Sequence, residues 1–328
     1  MNSNNRLTNC NSSLQRKPFT KRPLSFREQV DLLETRGIVF DDKDTAYFLL
    51  QHINYYRLEA YWFTYYNTSV PDHRFFPGTS FSAVWRDYCF DQKLRLHVLQ
   101  GLERIEISFK TQFVYNLAHK YGPFPFKKEN FIFSQSEWDE KINTLKEECT
   151  KSKEQFAEHI KNTYRCEIFP IWALVEILSF GAIVIFYDNM KDMSVMKQIS
   201  RVYGLQPEIL RSWLKHLYII RNICAHHGRL WNRRFVKTPK EAISIRRDVK
   251  DCWQNAPKKA DASNPRNDRR IYNTFLIIDY LLSNIDSGND LNKNWKPTLV
   301  RLIDEYKVDL QRMGFPDDWR ANPFWAST

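Results

Sequence analysis

An arginine and two histidines lie at the end of one helical segment, and together they could act on a phosphate group. On a helical wheel with 3.6 residues per turn, Arg221 falls in the middle of an otherwise apolar face. A guanidinium inside an apolar seam is costly unless an anion meets it. Either a buried carboxylate such as Glu176 or a bound phosphate would serve, since phosphate matches the bidentate fork of arginine. The apolar members of this face are Leu210, Trp213, Leu214, Leu217, Cys224 and Ala225.

The position of His226 limits how it could cooperate with Arg221. In an unbroken helix the two side chains project about 140° apart and about 7.5 Å apart along the axis, so they do not meet as i,i+4 neighbours do. Either the helix distorts at its end, where Gly228 could stop it, or two chains share the site. The spacing itself is unspecific, because Arg211 and His216 repeat it, and these two are interpreted as solvated side chains.

The acidic residues do not indicate a metal-dependent nuclease, which needs clustered carboxylates. Asp41, Asp42 and Asp44, the pair Glu103 and Glu106, and the pair Asp317 and Asp318 are explained more simply as helix caps or surface pairs. Cys224, His226 and His227 lack further ligands at zinc spacing. We therefore expect no metal and no other cofactor.

Without a metal, the accessible nucleophile for phosphodiester cleavage is the 2′-hydroxyl of the substrate, which restricts the substrate to RNA. An imidazole, with an ordinary pKa of about 6.5, could accept the 2′-proton or protonate the departing 5′-oxygen. Arg221 would stabilise the negative charge that grows on phosphorus. The expected products carry a 2′,3′-cyclic phosphate and a 5′-hydroxyl.

Positive charge is concentrated in one part of the chain. The 328 residues carry a net charge of +11, and residues 211–270, with 16 Lys and Arg against 5 Asp and Glu, account for all of it. This indicates a polyanionic partner, although a basic solvated loop is the alternative. Trp231 offers a base-stacking face or plugs the core. The candidate RNA-binding residues are Arg229, Trp231, Asn232, Arg233, Arg234, Lys237 and Lys240.

The elements that position these residues are predicted to be helices, because 9 Gly and 14 Pro are too few for the turns of an all-β protein. A capping box at Ser25 and Glu28 starts the first helix. The first predicted helix begins near Ser25, and the second starts at Asp41 or Asp42 and runs into residues 53–66. A long helix is predicted over 85–122, with Gly101 as a candidate break, and a buried pair of helices over 170–187. The remaining predicted helices cover 136–163, 192–203, 207–231, 268–285 and 296–312.

The domain organisation predicted from composition is a flexible basic arm (1–23), an all-α domain (24–314) that includes a basic loop (232–267), and a C-terminal tail (315–328). Residues 171–187 are too short and too interrupted for a membrane span, which needs roughly 20 apolar residues. The six cysteines show no disulfide or metal spacing and no secretory signal precedes them, which favours reduced thiols in a cytoplasmic protein.

The full string RNICAHHGRLWN (residues 221–232) resembles the RN-x-x-A-H-H-x-R-x-W-N signature of the Abi family of bacterial abortive-infection proteins, of the AbiD/AbiF type, within the HEPN ribonuclease superfamily. The resemblance covers roughly residues 25–235. It continues upstream in INYYRLEAYW (53–62), FDQKLRLHVLQGLERIEISFK (90–110) and WALVEILSFG (172–181).

This resemblance implies an all-α, HEPN-like helical bundle with additional helices, in which two copies of the R-N-x-x-x-H element face each other in a homodimer. By position, Arg221 is the phosphate-binding residue, Asn222 is its polar neighbour and His226 is the catalytic histidine. His227 also matches the string. The implied function is an endoribonuclease of phage defence or of a toxin–antitoxin system, with RNA as substrate and a cognate small RNA as a further partner. The alternatives are a non-catalytic RNA-binding HEPN module and a purely structural helical dimer.

Overall fold

The computed structural model of the protein describes residue 18 and residues 20–242, 245–255, 269–285 and 290–326. The chain divides into two compact units, Met1–Val84 and Trp85–Thr328. Within the described residues both units are helical, and the only β-type pairings are isolated bridges such as that between Val39 and Ser80. The all-α prediction is confirmed. The predicted flexible arm lies mostly outside the described residues.

Before α4 begins, the described residues of the first unit form three short helices and one 3₁₀ turn. The predicted capping box forms, because Ser25 N donates to Glu28 Oε2 at 2.7 Å while Glu28 N donates to Ser25 Oγ at 3.3 Å. The helix predicted to run into residue 66 is interrupted instead. Asn54 Oδ1 accepts from Tyr56 N at 2.9 Å and starts a new helix. The elements are α1 (Phe26–Thr35), α2 (Lys43–His52), α3 (Tyr55–Trp62) and the turn Phe63–Tyr65.

The second unit is built around α4 (Phe81–Tyr121), which begins at the end of the first unit and runs unbroken for 41 residues. Gly101 does not interrupt it. A Cβ atom at that position would lie 2.8 Å from both Ile278 Cγ2 and Trp295 Nε1, so the missing side chain lets two later helices approach α4 closely. The helices that follow are α5 (Gln135–Lys151), α6 (Gln155–Thr163), α7 (Ile171–Ile177), α8 (Phe180–Asp188), α9 (Met193–Val202), α10 (Pro207–Ala225), α11 (Arg247–Asn255), α12 (Tyr272–Ile285), α13 (Asp290–Tyr306) and α14 (Pro323–Ala326).

The apolar segment predicted as a buried helix pair forms α7 and α8, and α8 packs against α10. In the part of the chain that the structure describes, no helix combines the length and the apolar character needed to cross a bilayer. The charged helix predicted over 136–163 is two helices, α5 and α6, separated at residues 152–154.

One prediction about the C-terminal third needs correction. The basic loop contains α11, whose buried Val249, Cys252 and Trp253 have the i, i+3, i+4 spacing of an amphipathic helix. The rest of this loop includes residues 243–244 and 256–267, which lie outside the described residues. The predicted tail is packed through Phe315, whose ring lies 4.7 Å from that of Tyr272.

Helix α10 packs against α8 and α9 and buries the apolar face expected from the wheel, except for Ala225, which is half-buried. The burial extends further around the helix than predicted. His216 is buried, with Nε2 2.8 Å from Thr274 Oγ1 on α12, so its interpretation as a solvated side chain is wrong. Arg211 does lie near the surface, where its Nε is 3.4 Å from Asp188 Oδ1.

Candidate active site

Helix α10 directs Arg221 towards α4. Arg221 Nε lies 3.4 Å from Glu106 Oε2, and the Arg221 side chain keeps 35% of its surface exposed. The sequence predicted that an anion lies beside Arg221. In this structure the anion is a carboxylate, but it belongs to Glu106 and not to Glu176. Glu176 is exposed on α7.

Glu106 joins two cations. Its second oxygen, Oε1, lies 3.2 Å from Lys110 Nζ one turn further along α4, and Lys110 Nζ also donates to the carbonyl of Leu178 at 2.9 Å. Both side chains of this pair are largely buried. The sequence prediction that Glu106 forms a cap or a surface pair is thus wrong. The i,i+4 spacing with Lys110 was visible in the sequence, but the contact with Arg221, 115 positions later, depends on the fold.

A cavity of 590 Å³ opens beside this ion pair. Its wall is mainly one face of α4, completed by Arg221 and Ala225 from α10 and by Glu176 from α7. The α4 residues that line it are Leu96, Leu99, Gln100, Glu103, Glu106, Ile107, Lys110 and Thr111. A guanidinium, an ammonium and several carboxylates therefore converge on a space large enough for a nucleotide.

Helix α10 ends earlier than predicted, at Ala225 rather than near residue 231. His227 N donates to Cys224 O at 3.0 Å and Gly228 N donates to Ile223 O at 2.7 Å, which together form a Schellman motif. The left-handed residue of this motif is His227, with φ 57°, and not Gly228. Gly228 lets the chain pass close to the last turn of α10, because a Cβ atom there would lie only 3.2 Å from Ile223 O. The sequence analysis correctly took Gly228 as a sign that the helix ends here, but Gly228 is not the left-handed residue of the turn.

The turn after α10 is anchored to α4 by Asp91. The amides of Leu230 and Trp231 donate to Asp91 Oδ1 at 3.1 and 2.5 Å, and Arg95 donates to Asp91 Oδ2. All four residues are buried. This carboxylate therefore fixes the path of the chain directly after the two histidines, and neither Asp91 nor Arg95 was singled out from the sequence.

His226 and Arg221 lie on different faces of the end of α10. Helix α10 is continuous from Arg221 to Ala225, so it does not distort between the two residues, and His226 caps it with φ −92° and ψ 17°. Asn222, His226 and His227 are exposed, and His226 does not line the cavity beside Arg221. Within the described chain the structure brings Arg221 to Glu106 and Lys110, but it does not bring His226 to them.

Trp231 is 1% exposed and therefore plugs the core instead of offering a stacking face. The guanidinium carbon of Arg312 lies 5.5 Å from the centre of its ring. Asn232 Oδ1 accepts a hydrogen bond from Arg270, and Arg233 Nη1 donates to Arg229 O at 3.0 Å. Of the predicted RNA-binding residues, Arg234, Lys237 and Lys240 are exposed, Arg229, Asn232 and Arg233 are half-buried, and Trp231 is inaccessible.

Cys224 is buried behind the Schellman turn, and its environment explains its chemistry. Burial, followed by the nearby negative charge of Asp91, raises the pKa of the Cys224 thiol to about 12. The thiol is therefore protonated at neutral pH and is a poor nucleophile and a poor metal ligand. Its contribution is to pack the end of α10.

Comparison with known proteins gives one family. Neither the curated proteins nor the solved structures include a significant match to this chain. The model of the family described as Abi-like protein matches residues 48–232, more than half of the chain. The match includes the cavity, the Asp91 anchor and the turn after α10, and this protein belongs to the Abi-like protein family.

Proposed function

We propose that this protein is a metal-independent endoribonuclease that acts in abortive infection, a defence against phage, or as the toxin of a toxin–antitoxin pair. The observation that carries the proposal is Arg221, which lies in the wall of a cavity with a third of its side chain accessible. It precedes by five residues an exposed His226 at the end of the same helix. Membership of the Abi-like family supports the defence role.

The proposed active unit is a homodimer. Because His226 lies on a different face from Arg221, the two residues of one chain are poorly placed to act on the same phosphate. In a site shared by two chains, Arg221 of one chain and His226 of the other could reach one phosphate. The surface around Arg221 suits a symmetric interface, since Leu96 and Ile107 on the cavity wall are exposed. In such a dimer the two α10 ends would line one cleft.

In the proposed reaction, His226 of one chain accepts the proton of the 2′-hydroxyl, and the resulting oxygen attacks the adjacent phosphorus. The bond from phosphorus to the 5′-oxygen breaks, and this oxygen takes a proton from an imidazolium. Arg221 binds the non-bridging oxygens and stabilises their charge in the transition state. The products are a 2′,3′-cyclic phosphate and a 5′-hydroxyl. The exposed Arg234, Lys237 and Lys240 would bind the flanking backbone.

The test is cleavage of labelled single-stranded RNA in the presence of EDTA, with DNA of the same sequence beside it. We expect the wild-type protein to cut RNA only, and Arg221→Ala and His226→Ala to lose about 10²-fold or more in rate. Arg201→Ala is the control, because Arg201 is exposed on α9, the helix that precedes α10. The start of α10 lies about 21 Å along the helix axis from Arg221.

Two other outcomes would reject the proposal. Tight RNA binding without cleavage by the wild-type protein would instead identify a non-catalytic RNA-binding module that holds a structured small RNA. Loss of the folded state in Arg221→Ala, measured by thermal melting, would assign Arg221 a structural role.

A further inference from the structure

The first unit contains a cavity that the proposed reaction does not use. Its volume is 790 Å³, and every residue that lines it belongs to this unit. It shares no lining residue with the cavity beside Arg221. Three lining residues, Tyr55, Tyr56 and Glu59, come from the segment INYYRLEAYW (53–62), in which four of ten side chains are aromatic. Cavities of this size commonly hold small molecules or cofactors.

Two of the aromatic residues that line this cavity are exposed. Tyr56 is 68% exposed and Phe26 is 41% exposed. Tyr55 packs edge to face with the Tyr56 ring, with 6.0 Å between the ring centres and 81° between the planes. Unpaired nucleobases stack on accessible aromatic side chains of this kind. The wall therefore suits a ligand that contains a flat aromatic ring.

The same wall holds a buried oxygen that lacks a donor. Gln29 and Leu24 both line the cavity, and Gln29 Nε2 donates to Leu24 O at 3.1 Å. This bond identifies the other end of the amide, Oε1, as the acceptor. Gln29 Oε1 is buried and has no hydrogen-bond partner among the described residues. A buried acceptor without a donor is unfavourable, and an N–H group of a ligand would remove the cost.

Two opposite charges line the cavity without neutralising each other. Arg36 and Glu59 are half-buried in its wall, and within the described chain neither forms an ion pair. Arg36 Nη1 donates to the Tyr55 hydroxyl at 3.0 Å, a bond that uses one of the five N–H donors of a guanidinium. The Glu59 carboxylate, in contrast, can only accept hydrogen bonds. The cavity can therefore bind an anion at Arg36 and hydrogen-bond donors at Glu59.

We propose that this cavity binds a guanine nucleotide. Guanine carries adjacent N–H donors on one edge, which match a carboxylate, whereas the same edge of adenine places an acceptor beside its donor. The base stacks on Tyr56 and donates to Glu59, Gln29 Oε1 accepts a further hydrogen bond, and Arg36 binds the phosphate. A purely apolar ligand would bury Glu59 and Gln29 Oε1 without donors. The nucleotide either belongs to an RNA chain, in which case the inference rests on the proposed function, or is free in solution.

The first experiment measures the binding of GMP, AMP and guanosine to the full-length protein by isothermal titration calorimetry. We expect GMP to bind about tenfold more tightly than AMP, and Glu59→Gln to abolish this preference, because an amide replaces one acceptor by a donor. GMP should also bind about tenfold more tightly than guanosine, and Arg36→Gln should abolish that difference. Each ratio compares two ligands on one variant, so a partial loss of folded protein does not change it.

Tyr56→Ala tests the stacking surface at an exposed position, where the fold should tolerate the change. We expect it to weaken GMP binding by about tenfold. Tyr164→Ala is the matched control, because Tyr164 is 60% exposed and lies outside this cavity. The proposal is wrong if millimolar GMP does not bind the wild-type protein, if GMP and AMP bind equally, or if the two tyrosine variants have the same affinity for GMP.

An oligonucleotide distinguishes the two sources of the nucleotide. Single-stranded RNA with one guanine is compared with the same RNA in which adenine replaces it. If the site takes a base of RNA, the replacement weakens binding to the wild-type protein by about tenfold but has little effect on Tyr56→Ala. If the ligand is a free nucleotide, neither change affects RNA affinity, while Tyr56→Ala still weakens GMP binding. His226→Ala should keep GMP binding, so a failure of the catalytic proposal leaves this result readable.

Discussion

Arg221 and Glu106 form a pair whose strength is limited by water. The Arg221 side chain is about one-third exposed and its contact with Glu106 uses Nε at 3.4 Å, so the pair is weak enough for a phosphate to compete with it. Glu106 orients the guanidinium in this structure, and under the proposed function it would also reduce the positive potential that RNA meets.

Glu106→Gln should therefore tighten RNA binding by about threefold, because glutamine keeps the size and shape of the side chain while the competing charge is removed. Fluorescence anisotropy with a labelled oligonucleotide measures the change. Glu103→Gln is the control, since Glu103 is an exposed carboxylate on the same cavity wall. An equal effect of both variants, or weaker binding by Glu106→Gln, would contradict this role of Glu106.

At the scale of single residues, the sequence predicted the need for an anion beside Arg221 but not which residue provides it. A helical wheel gives the direction of Arg221 on α10. The residue that faces it depends on how α4 packs beside α10, which the wheel does not show. The same limit explains His216. His216 lies between Trp213 and Ile220 along α10. It is buried by α12, where Thr274 contacts its ring, and a helical wheel of α10 alone cannot show a neighbouring helix.

His216 on α10 and His97 on α4 are buried neutral imidazoles. Burial lowers the pKa of each to about 4, from an ordinary value of 6.5. Between these values the unfolded chain binds more protons than the folded protein, so the free energy of unfolding should decrease as pH falls from 6.5 towards 4. Each histidine contributes on the order of 2–3 kcal/mol to this loss.

Substitution of His216 by Gln should flatten this pH dependence, because Gln can keep a hydrogen bond to Thr274 without titrating. Urea unfolding at several pH values gives the slope. His159→Gln serves as the control, since His159 is exposed on α6. An unchanged slope in His216→Gln would show that the histidine does not titrate as argued.

Among the elements, α4 and the turn after α10 depend on each other through Asp91. This carboxylate accepts from two turn amides and from Arg95. Asp91→Ala should lower the free energy of unfolding by about 3–5 kcal/mol, because it breaks a buried ion pair. Denaturant unfolding measures this, with Glu103→Ala on the exposed face of α4 as control. A loss below about 1 kcal/mol would mean that the turn holds its shape without this anchor.

The start of a helix was easier to predict than its end. Ser25 with Glu28 and the proline at 207 gave correct starts, since capping and a proline in the first turn are local effects. The motif helix was predicted to extend to about residue 231, whereas α10 ends at Ala225. Gly228 indicated a stop in this region, but the left-handed residue is His227. Helix α11 was missed because its three buried residues are surrounded by charge.

At the scale of the whole molecule, the proposed homodimer depends on the surface around Arg221. Leu96 is 63% exposed and lines the cavity. Leu96→Glu should leave the fold intact but shift the protein from dimer to monomer in light scattering, and RNA cleavage should be lost with it. Ile132→Glu is the matched control, because Ile132 is 60% exposed and lies outside this cavity. A monomer that still cleaves RNA would refute a shared site.

Whole-molecule features were predictable where composition or pattern determines them. The scarcity of Gly and Pro indicated helices, and the motif at 221–232 indicated the family. The division of the chain at Val84 and Trp85 was not predicted, because it falls inside the continuous helix α4, where no linker composition marks it.

The central claim is that RNA supplies its own nucleophile at a site containing Arg221 and His226. The most direct measurement is the mass of the upstream fragment after cleavage of a defined RNA in EDTA. The account predicts a fragment ending in a 2′,3′-cyclic phosphate, lighter by one water than the linear phosphate, and no cleavage when the 2′-hydroxyl at the cut position is replaced by hydrogen. A fragment ending in a 3′-hydroxyl, or cleavage that persists at the deoxy position, would contradict it.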